Sequence, residues 1–249
     1  MKTNVIYNED CLVGMKRLPD NSVDLVITDP PYKITSRGNF GSTGGMLKKK
    51  ISMNGQVFKD NDIDIKDWIG EVYRILKDGS HCYIMTNHTN LKKYLNEIEK
   101  AGFSFIKNLI WNKGNKIMGQ YYMSQYEYII FCRKGKGVAI NNCGTSDILT
   151  VLNNKTKDKN GDNLHDTEKP VGLANILIEN SSQKGDVVVD PFVGVGWVAI
   201  SSYLKQRKFI CWEIDEGYYN SSLKRLGKID KKFLKKLPKE ERPAQQQLF

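Results

Sequence analysis

Hydrophobic and polar positions along the chain follow two periods. Short runs rich in branched apolar residues are typical of buried β-strands, whereas apolar residues three or four positions apart predict amphipathic helices. The predicted strands are residues 3–7, 23–28, 81–86, 103–111, 126–133, 187–189 and 208–212. The predicted helices are residues 11–18, 63–77, 88–101, 170–182, 195–205 and 217–226. Because strands alternate with helices, the chain is predicted to be an α/β protein with a mostly parallel sheet of about seven strands.

Three long segments show neither period. Residues 33–60 are rich in Gly, Ser and Lys, and we interpret them as a mobile loop, since loops of this length are usually functional or disordered. Residues 112–125 are interpreted as a turn-rich insert, and residues 135–166 as polar and irregular. We therefore predict one catalytic domain, residues 1–227, and a basic tail, residues 228–249.

Charge narrows the class of partner. The 249-residue chain carries a net charge of +10, concentrated in residues 33–59, 107–165 and 224–242, while the remainder is acidic. Basic segments on a mildly acidic body favour phosphate contacts from particular loops, and thus double-stranded DNA as partner. The alternative is solvated lysine-rich loops and a disordered tail.

Several other classes are not favoured. The chain has no long apolar run and no secretory leader at its start, so we expect no membrane span and a cytoplasmic, nucleoid-associated protein. Five cysteines without CxxC spacing predict buried free thiols rather than disulfides or zinc, and no His/Cys grouping suggests a metal.

The sharpest local signal is Asp29-Pro30-Pro31-Tyr32, directly after the predicted strand 23–28. The two prolines make a stiff corner at a strand end, which is where open α/β sheets bind ligands. Asp29 and the Pro30 carbonyl could accept hydrogens from the exocyclic amine of a nucleobase stacked on Tyr32. The alternative is an ordinary turn in which Tyr32 is a packing residue.

A second signal follows the strand 187–189, where the sequence reads Asp-Pro-Phe-Val-Gly-Val-Gly over residues 190–196. Glycines between a strand and a helix let a ligand approach the backbone closely. Glu213 ends the next strand, where dinucleotide folds place an acid for ribose hydroxyls. These residues indicate an adenosine-like cofactor, either NAD or S-adenosylmethionine.

Together the two motifs resemble the β class of S-adenosylmethionine-dependent DNA amino-methyltransferases, in which the catalytic motif comes first. Residues 165–170, His-Asp-Thr-Glu-Lys-Pro, resemble a further segment of that class, and residues 8–12 resemble its opening. The resemblance covers roughly residues 5–226. One departure is Trp197, where the family usually has Thr; the change removes a hydroxyl contact or lets the indole pack over the pocket.

The resemblance implies a circularly permuted, Rossmann-like methyltransferase fold with one antiparallel edge hairpin. Residues 103–111 and 126–133 would form this hairpin, and the strands ending near Asp10 and Glu213 would be neighbours. The implied catalytic residues are Asp29, Pro30, Pro31 and Tyr32. The implied cofactor-binding residues are Asp10, Thr167, Lys169, Asp190, Phe192, Gly194, Gly196 and Glu213. Asp10 could instead be only a helix cap, and Lys169 only a surface lysine.

With Asp29 in its first position, the motif resembles that of enzymes that methylate adenine N6. The alternative target is cytosine N4. The target base would be flipped out of the duplex, and residues 107–165 would recognise the target site. Rival interpretations are a nucleic-acid-binding module with a vestigial cofactor site and a methyltransferase for RNA or protein. A homodimer is a further expectation. Residues Gln245 to Phe249 resemble a sliding-clamp docking peptide, against the alternative of a disordered end.

Overall fold

The computed structural model describes residues 1–31, 63–117, 122–153 and 168–230. Eight strands in these ranges form one sheet: β1 (Val5–Tyr7), β2 (Val23–Thr28), β3 (Leu76–Thr86), β4 (Ser104–Ile117), β5 (Ser124–Arg133), β6 (Ile148–Thr150), β7 (Val187–Asp190) and β8 (Lys208–Trp212). The helices are α1 (Cys11–Met15), α2 (Ile65–Ile75), α3 (Leu91–Lys100), α4 (Val171–Ser181), α5 (Trp197–Leu204) and α6 (Glu216–Ile229).

The strand order is β1-β8-β7-β2-β3-β5-β4-β6. Every neighbouring pair in this order is parallel, except that β5 runs antiparallel to both β3 and β4. The predicted α/β class, a mostly parallel sheet with one antiparallel hairpin, is therefore confirmed. The predicted neighbourhood of β1 and β8 is also present, with Tyr7 opposite Trp212.

The sheet has one strand more than the sequence predicted. Ile148–Thr150 pairs with the outer side of β4, so the hairpin lies one strand inside the edge. This strand was missed because it is three residues long and only Leu149 is buried, which leaves no periodicity to detect.

The hairpin also takes up most of the segment predicted to be a turn-rich insert. Pairing between β4 and β5 continues to Ile117 opposite Ser124, with a register shift after Asn112. Gly114 lies in the shifted stretch with φ of 77°, a backbone that favours glycine. A strand with a bulge and polar residues on both faces has no regular alternation, so its sequence looks like a loop.

Helix α2 begins at Ile65, two residues after the predicted start, and Asp64 is its N-cap. Asp64 accepts from the Lys66 N–H, and the Asp67 side chain accepts from the Asp64 N–H, which completes a capping box. The helix ends at Ile75, two residues before the predicted end, because β3 already pairs with β2 at Leu76.

Alternate residues of the central strands pack on opposite faces of the sheet. Val26 lies in the core with α1, α2 and α3, whereas its neighbours Leu25 and Ile27 lie in the core with α4 and α5. The result is a three-layer α/β/α arrangement, as binary patterning requires for a sheet covered on both sides. The largest buried side chains include three tryptophans, Trp68, Trp111 and Trp212.

All five cysteines are free, and four are buried, as predicted; Cys143 is exposed. Over the described ranges, no helix is long and apolar enough to cross a membrane, and no cluster of His, Cys, Asp or Glu could hold a metal ion.

Candidate functional site

Four carboxylates follow four adjacent parallel strands at one edge of the sheet. In spatial order β1, β8, β7 and β2, these are Asp10, Glu213, Asp190 and Asp29. Because the carboxyl ends of parallel strands meet at one edge, the catalytic and cofactor motifs predicted from the sequence come together. The link is direct, since the hydroxyl of Thr28 donates to Asp190 Oδ1 at 2.8 Å.

Asp190 is fully buried at the centre of this edge. The Phe192 N–H also donates to its Oδ1, at 3.0 Å, while its Oδ2 is buried without a hydrogen-bond partner among the described residues. Burial raises the pKa of Asp190 to about 8. A buried acceptor without a donor is uncommon in native proteins and marks a position where a bound ligand could donate.

Glu213 is held by the backbone of the glycine turn. The Gly194 N–H donates to its Oε2 and the Asp215 N–H to its Oε1, both at 2.9 Å. Burial raises the pKa of Glu213 to about 7. Gly196 has φ of 92°, and a Cβ there would lie 3.0 Å from the Ser222 Cβ, so both its conformation and its packing favour glycine.

The outermost acid, Asp10, caps α1 by accepting from the Leu12 N–H at 2.8 Å. The capping alternative is therefore correct as far as one oxygen is concerned, and it leaves the other oxygen available for a ligand.

Two aromatic residues of the glycine motif pack away from the edge. The Phe192 ring makes an edge contact with Trp68, with 5.5 Å between ring centroids, so its backbone rather than its ring faces Asp190. Trp197 is 3% exposed and belongs to the core containing Leu173 and Val188. Its indole packs in the core beneath α4, and the indole Nε1 is buried without a hydrogen-bond partner among the described residues, so both interpretations of Trp197 stay predictions.

The predicted catalytic corner, Asp29-Pro30-Pro31, carries an unexpected ion pair. The Lys169 ammonium contacts Asp29 Oδ2, and its side chain is only 4% exposed, so Lys169 is not a surface lysine. Asp29 Oδ1 is buried and accepts no hydrogen bond from the described part of the chain. Pro30 is buried and Pro31 half-buried directly beyond it. Lys169 therefore engages Asp29 Oδ2, whereas Asp29 Oδ1 could accept a hydrogen bond from a ligand.

The electrostatics of this pair define its ionisation. Burial raises the pKa of Asp29, and the Lys169 ammonium opposes that rise. Burial alone would lower the pKa of Lys169, but the carboxylates of Asp29 and Glu127 raise it above its ordinary value. Lys169 is therefore an ammonium and cannot act as a base.

Glu127 on β5 was missed in the sequence. Its Oε1 contacts the Lys113 ammonium, and its Oε2 lies 3.6 Å from Lys169 Nζ. Burial would raise the pKa of Glu127, but Lys169 and Lys113 outweigh burial and lower it. The available signal was a single acid inside the apolar strand 126–132, a position that rarely holds a charge without a partner.

The segment before α4, which contains Glu168 and Lys169, is also held by a residue of α6. Arg225 on α6 pairs with buried Glu168 at 2.6 Å and also donates to the carbonyl of Val195 in the glycine turn, at 2.6 Å. This bridge holds the residue next to Lys169 against the turn that precedes α5. Tyr32, Thr167, His165, the loop of residues 33–60 and the tail of residues 231–249 lie outside the described residues.

Residues 23–224 match the family model N6_N4_Mtase, described as DNA methylase. The chain belongs to the DNA methylase family. The match contains the catalytic corner, Glu127, Lys169 and the glycine turn.

Curated relatives of this DNA methylase include two Type II methyltransferases. M.HinfI of Haemophilus influenzae is 28% identical over 251 residues, covering 91% of this chain and 69% of that relative. M2.MboI of Moraxella bovis is 27% identical over 244 residues, covering 90% of this chain and 88% of that relative.

Solved structures share the fold of this methylase. The M1.HpyAVI–SAM complex has a TM-score of 0.65 at 21% identity, covering 88% of this chain and 98% of that one. The PvuII DNA methyltransferase, named cytosine-N4-specific, has a TM-score of 0.68 at 16% identity, covering 89% and 86%. A DNA modification methylase of Thermus thermophilus, in a complex with S-adenosyl-L-methionine, has a TM-score of 0.60 at 21% identity, covering 90% and 94%.

Proposed function

We propose that this DNA methylase transfers a methyl group from S-adenosylmethionine to N6 of an adenine flipped out of duplex DNA. The observation that carries the proposal is Asp29 Oδ1, a buried acceptor without a donor among the described residues, at the same sheet edge as Asp190 and Glu213. A target amine and a cofactor bound along one edge of the sheet would lie at the ends of neighbouring strands, and holding two reactants together supplies much of the rate.

The cofactor half would consist of the residues after β1, β7 and β8. Glu213 would take the ribose hydroxyls and Asp10 the adenine amino group. Asp190 Oδ2, which has no donor among the described residues, would accept from the methionine end. The glycine turn lets the cofactor approach the backbone closely. These hydrogen-bond acceptors therefore fit the cofactor, which would supply an electrophilic methyl group on a sulfonium.

The target half would be the corner itself. Asp29 Oδ1 and the Pro30 carbonyl would accept the two hydrogens of the exocyclic amine and direct its lone pair out of the ring plane. These acceptors stabilise the positive charge that develops on the amine nitrogen as it is methylated. Tyr32 would stack on the base. Because a base inside a duplex cannot reach a pocket at a strand end, the base would have to be extruded.

The choice of adenine over cytosine rests on one residue type. Asp29 stands where the resembling cytosine-N4 enzymes more often have Ser. Cytosine N4 remains the alternative outcome of the experiment, since its exocyclic amine presents the same two hydrogens to the same acceptors.

Methylation-sensitive sequencing of DNA from cells expressing the chain tests the proposal. We expect N6-methyladenine in one short sequence context, absent from cells expressing an Asp29→Ala variant. If the sequencing detects modified cytosine and no N6-methyladenine, the target base is cytosine. A purified chain that methylates RNA or protein in preference to duplex DNA would refute the substrate class, and no transfer to any acceptor would refute the activity.

The proposed organisation has parts outside the described residues. Residues 1–227 would form the catalytic domain, residues 33–60 would close over the extruded base, and residues 107–165 would contact the target site. A homodimer and clamp docking through Gln245 to Phe249 stay predictions. Clamp binding that is unaffected by removing Leu248 and Phe249 would exclude the second.

A further inference from the structure

Four charged side chains form a continuous, partly buried chain next to the catalytic corner. In order they are Asp29 after β2, Lys169 before α4, Glu127 on β5 and Lys113 on β4. Their side chains are 15%, 4%, 18% and 12% exposed, respectively. Two carboxylates and two ammonium groups give no net charge, which is why such a cluster can exist away from water.

The cluster is satisfied unevenly. Lys169 contacts Asp29 Oδ2 directly, whereas its Nζ is 3.6 Å from Glu127 Oε2, beyond hydrogen-bond distance. That Glu127 oxygen is buried and has no hydrogen-bond partner among the described residues, although Oε1 is engaged by Lys113. An ammonium–carboxylate hydrogen bond is about 2.8 Å long. A movement of less than about 1 Å would therefore bring Lys169 into hydrogen-bond contact with Glu127.

We propose that Glu127 is a positioning residue for methyl transfer, because it offers Lys169 a second carboxylate and lets the ammonium leave Asp29 when the target amine arrives. The inference rests on the proposed function and deepens it. Glu127 acts through Lys169 and does not touch the base.

The physical reason lies in the charge of the reacting nitrogen. The amine would become cationic as its lone pair forms the nitrogen–carbon bond and the methyl group leaves the sulfonium sulfur as a neutral thioether; the methylated amine would then lose one proton to water. An ammonium held on the accepting carboxylate opposes this build-up of positive charge. Opposition between like charges a few ångströms apart is large where water is excluded. With Lys169 on Glu127, Asp29 has its full negative charge available to the amine. The Trp111 ring, 6.0 Å from Lys169 Nζ, gives the ammonium an aromatic neighbour during the movement.

A merely structural role does not account for this geometry. Lys113 already pairs with Glu127 Oε1, whereas Oε2 lies 3.6 Å from Lys169 Nζ and accepts no hydrogen bond from the described residues, so stability alone does not require this second oxygen. A buried acceptor without a donor destabilises the folded chain. The geometry points to an oxygen that is used in another state of the enzyme.

The test is Glu127→Gln in the full-length chain, assayed by labelled-methyl transfer to duplex DNA. We expect kcat to fall by roughly 10- to 100-fold, the range that misplacement of a catalytic group produces. We expect KM for the cofactor to change little. Because the Glu127 charge raises the pKa of Asp29, its removal should move the acid limb of the kcat–pH profile to lower pH.

The same substitution in a Lys169→Met background separates positioning from packing. If Glu127 acts through Lys169, Glu127→Gln should cause no further loss of kcat there. Glu97→Gln, which removes a surface carboxylate paired with Lys100 on α3, is the matched control and should leave kcat and the pH profile unchanged. If Glu127→Gln does not fold, Glu127→Asp keeps the charge but shortens the reach, and should lower kcat.

Three results would overturn the inference. They are an unchanged kcat and acid limb in Glu127→Gln, the same loss of kcat with and without Lys169, and full activity in Glu127→Asp when Glu127→Gln does not fold. Absence of methyl transfer by the wild-type chain would instead refute the proposed function, and this inference with it.

Discussion

Asp190→Asn should change how the stability of this methylase depends on pH. Asp190 is fully buried, and burial raises its pKa from 3.8 to about 8. Between these two values the folded chain keeps a proton that the unfolded chain has lost. The free energy of unfolding must therefore fall as pH rises through this window, and the loss is complete above about pH 8.

The magnitude follows from one proton. A difference of one bound proton changes the free energy of unfolding by about 1.4 kcal/mol per pH unit. From about pH 5 to about pH 7 the Asp190 contribution is thus a loss of about 3 kcal/mol, a large share of the stability of an ordinary domain. Asn has the same shape and keeps an oxygen for Thr28 and the Phe192 N–H, but it does not titrate.

Urea unfolding of the cofactor-free chain at a series of pH values measures this effect. We expect the wild-type stability to fall with pH and the Asp190→Asn variant to show a much shallower fall. A residual slope of the same sign should remain, because burial also raises the pKa of Glu213, to about 7. Glu99→Gln, an exposed acid on α3, should follow the wild type. The reasoning fails if wild type and Asp190→Asn run parallel across this pH range.

Three further predictions concern the turn, a helix cap and the cofactor. Gly196→Ala places a Cβ on a backbone with φ of 92°, 3.0 Å from the Ser222 Cβ, so we expect the free energy of unfolding in denaturant to fall by about 1–3 kcal/mol. Gly70→Ala, with open space around it, is the control and should be neutral or stabilising. Asp64→Ala removes the capping box of α2 and should lower stability by about 1 kcal/mol, seen as a reduced unfolding midpoint; no change would mean that the cap is dispensable. The cofactor is cationic and would bind beside Asp190 and Glu213, whose pKa values burial has raised, so its binding near neutral pH should release protons. Calorimetry in buffers of different ionisation enthalpy would detect this release. A binding enthalpy that does not depend on the buffer would contradict the prediction.

Much of the fold could be predicted from local pattern. The strand of residues 23–28 was predicted with its observed bounds because a branched apolar run is closed by two prolines. The Asp64 cap and the order of strands and helices were equally local. The sequence failed to predict two elements, the short strand β6 and the polar outer half of the β4–β5 hairpin. Backbone pairing determines the structure there, and the side chains show no periodicity.

The candidate site divides in the same way. Asp29, Asp190 and Glu213 could be recognised because each is an acid directly after an apolar strand, and parallel strands end at one edge. Lys169 was recognised only as part of a motif, and its contact with Asp29 was not foreseen. Glu127 was not recognised at all, since a single acid in a strand says nothing about a lysine 42 positions away.

The sequence by itself determined where strands end in acids, and hence at which edge of the sheet the site is predicted. Only the tertiary structure decided which oxygen of Asp29 is open, that Trp197 fills the core, and that Lys169 stands between two carboxylates. The physical reason is that strand ends and turns depend on neighbours in the chain, whereas the pairing of buried charges depends on which elements the fold brings together.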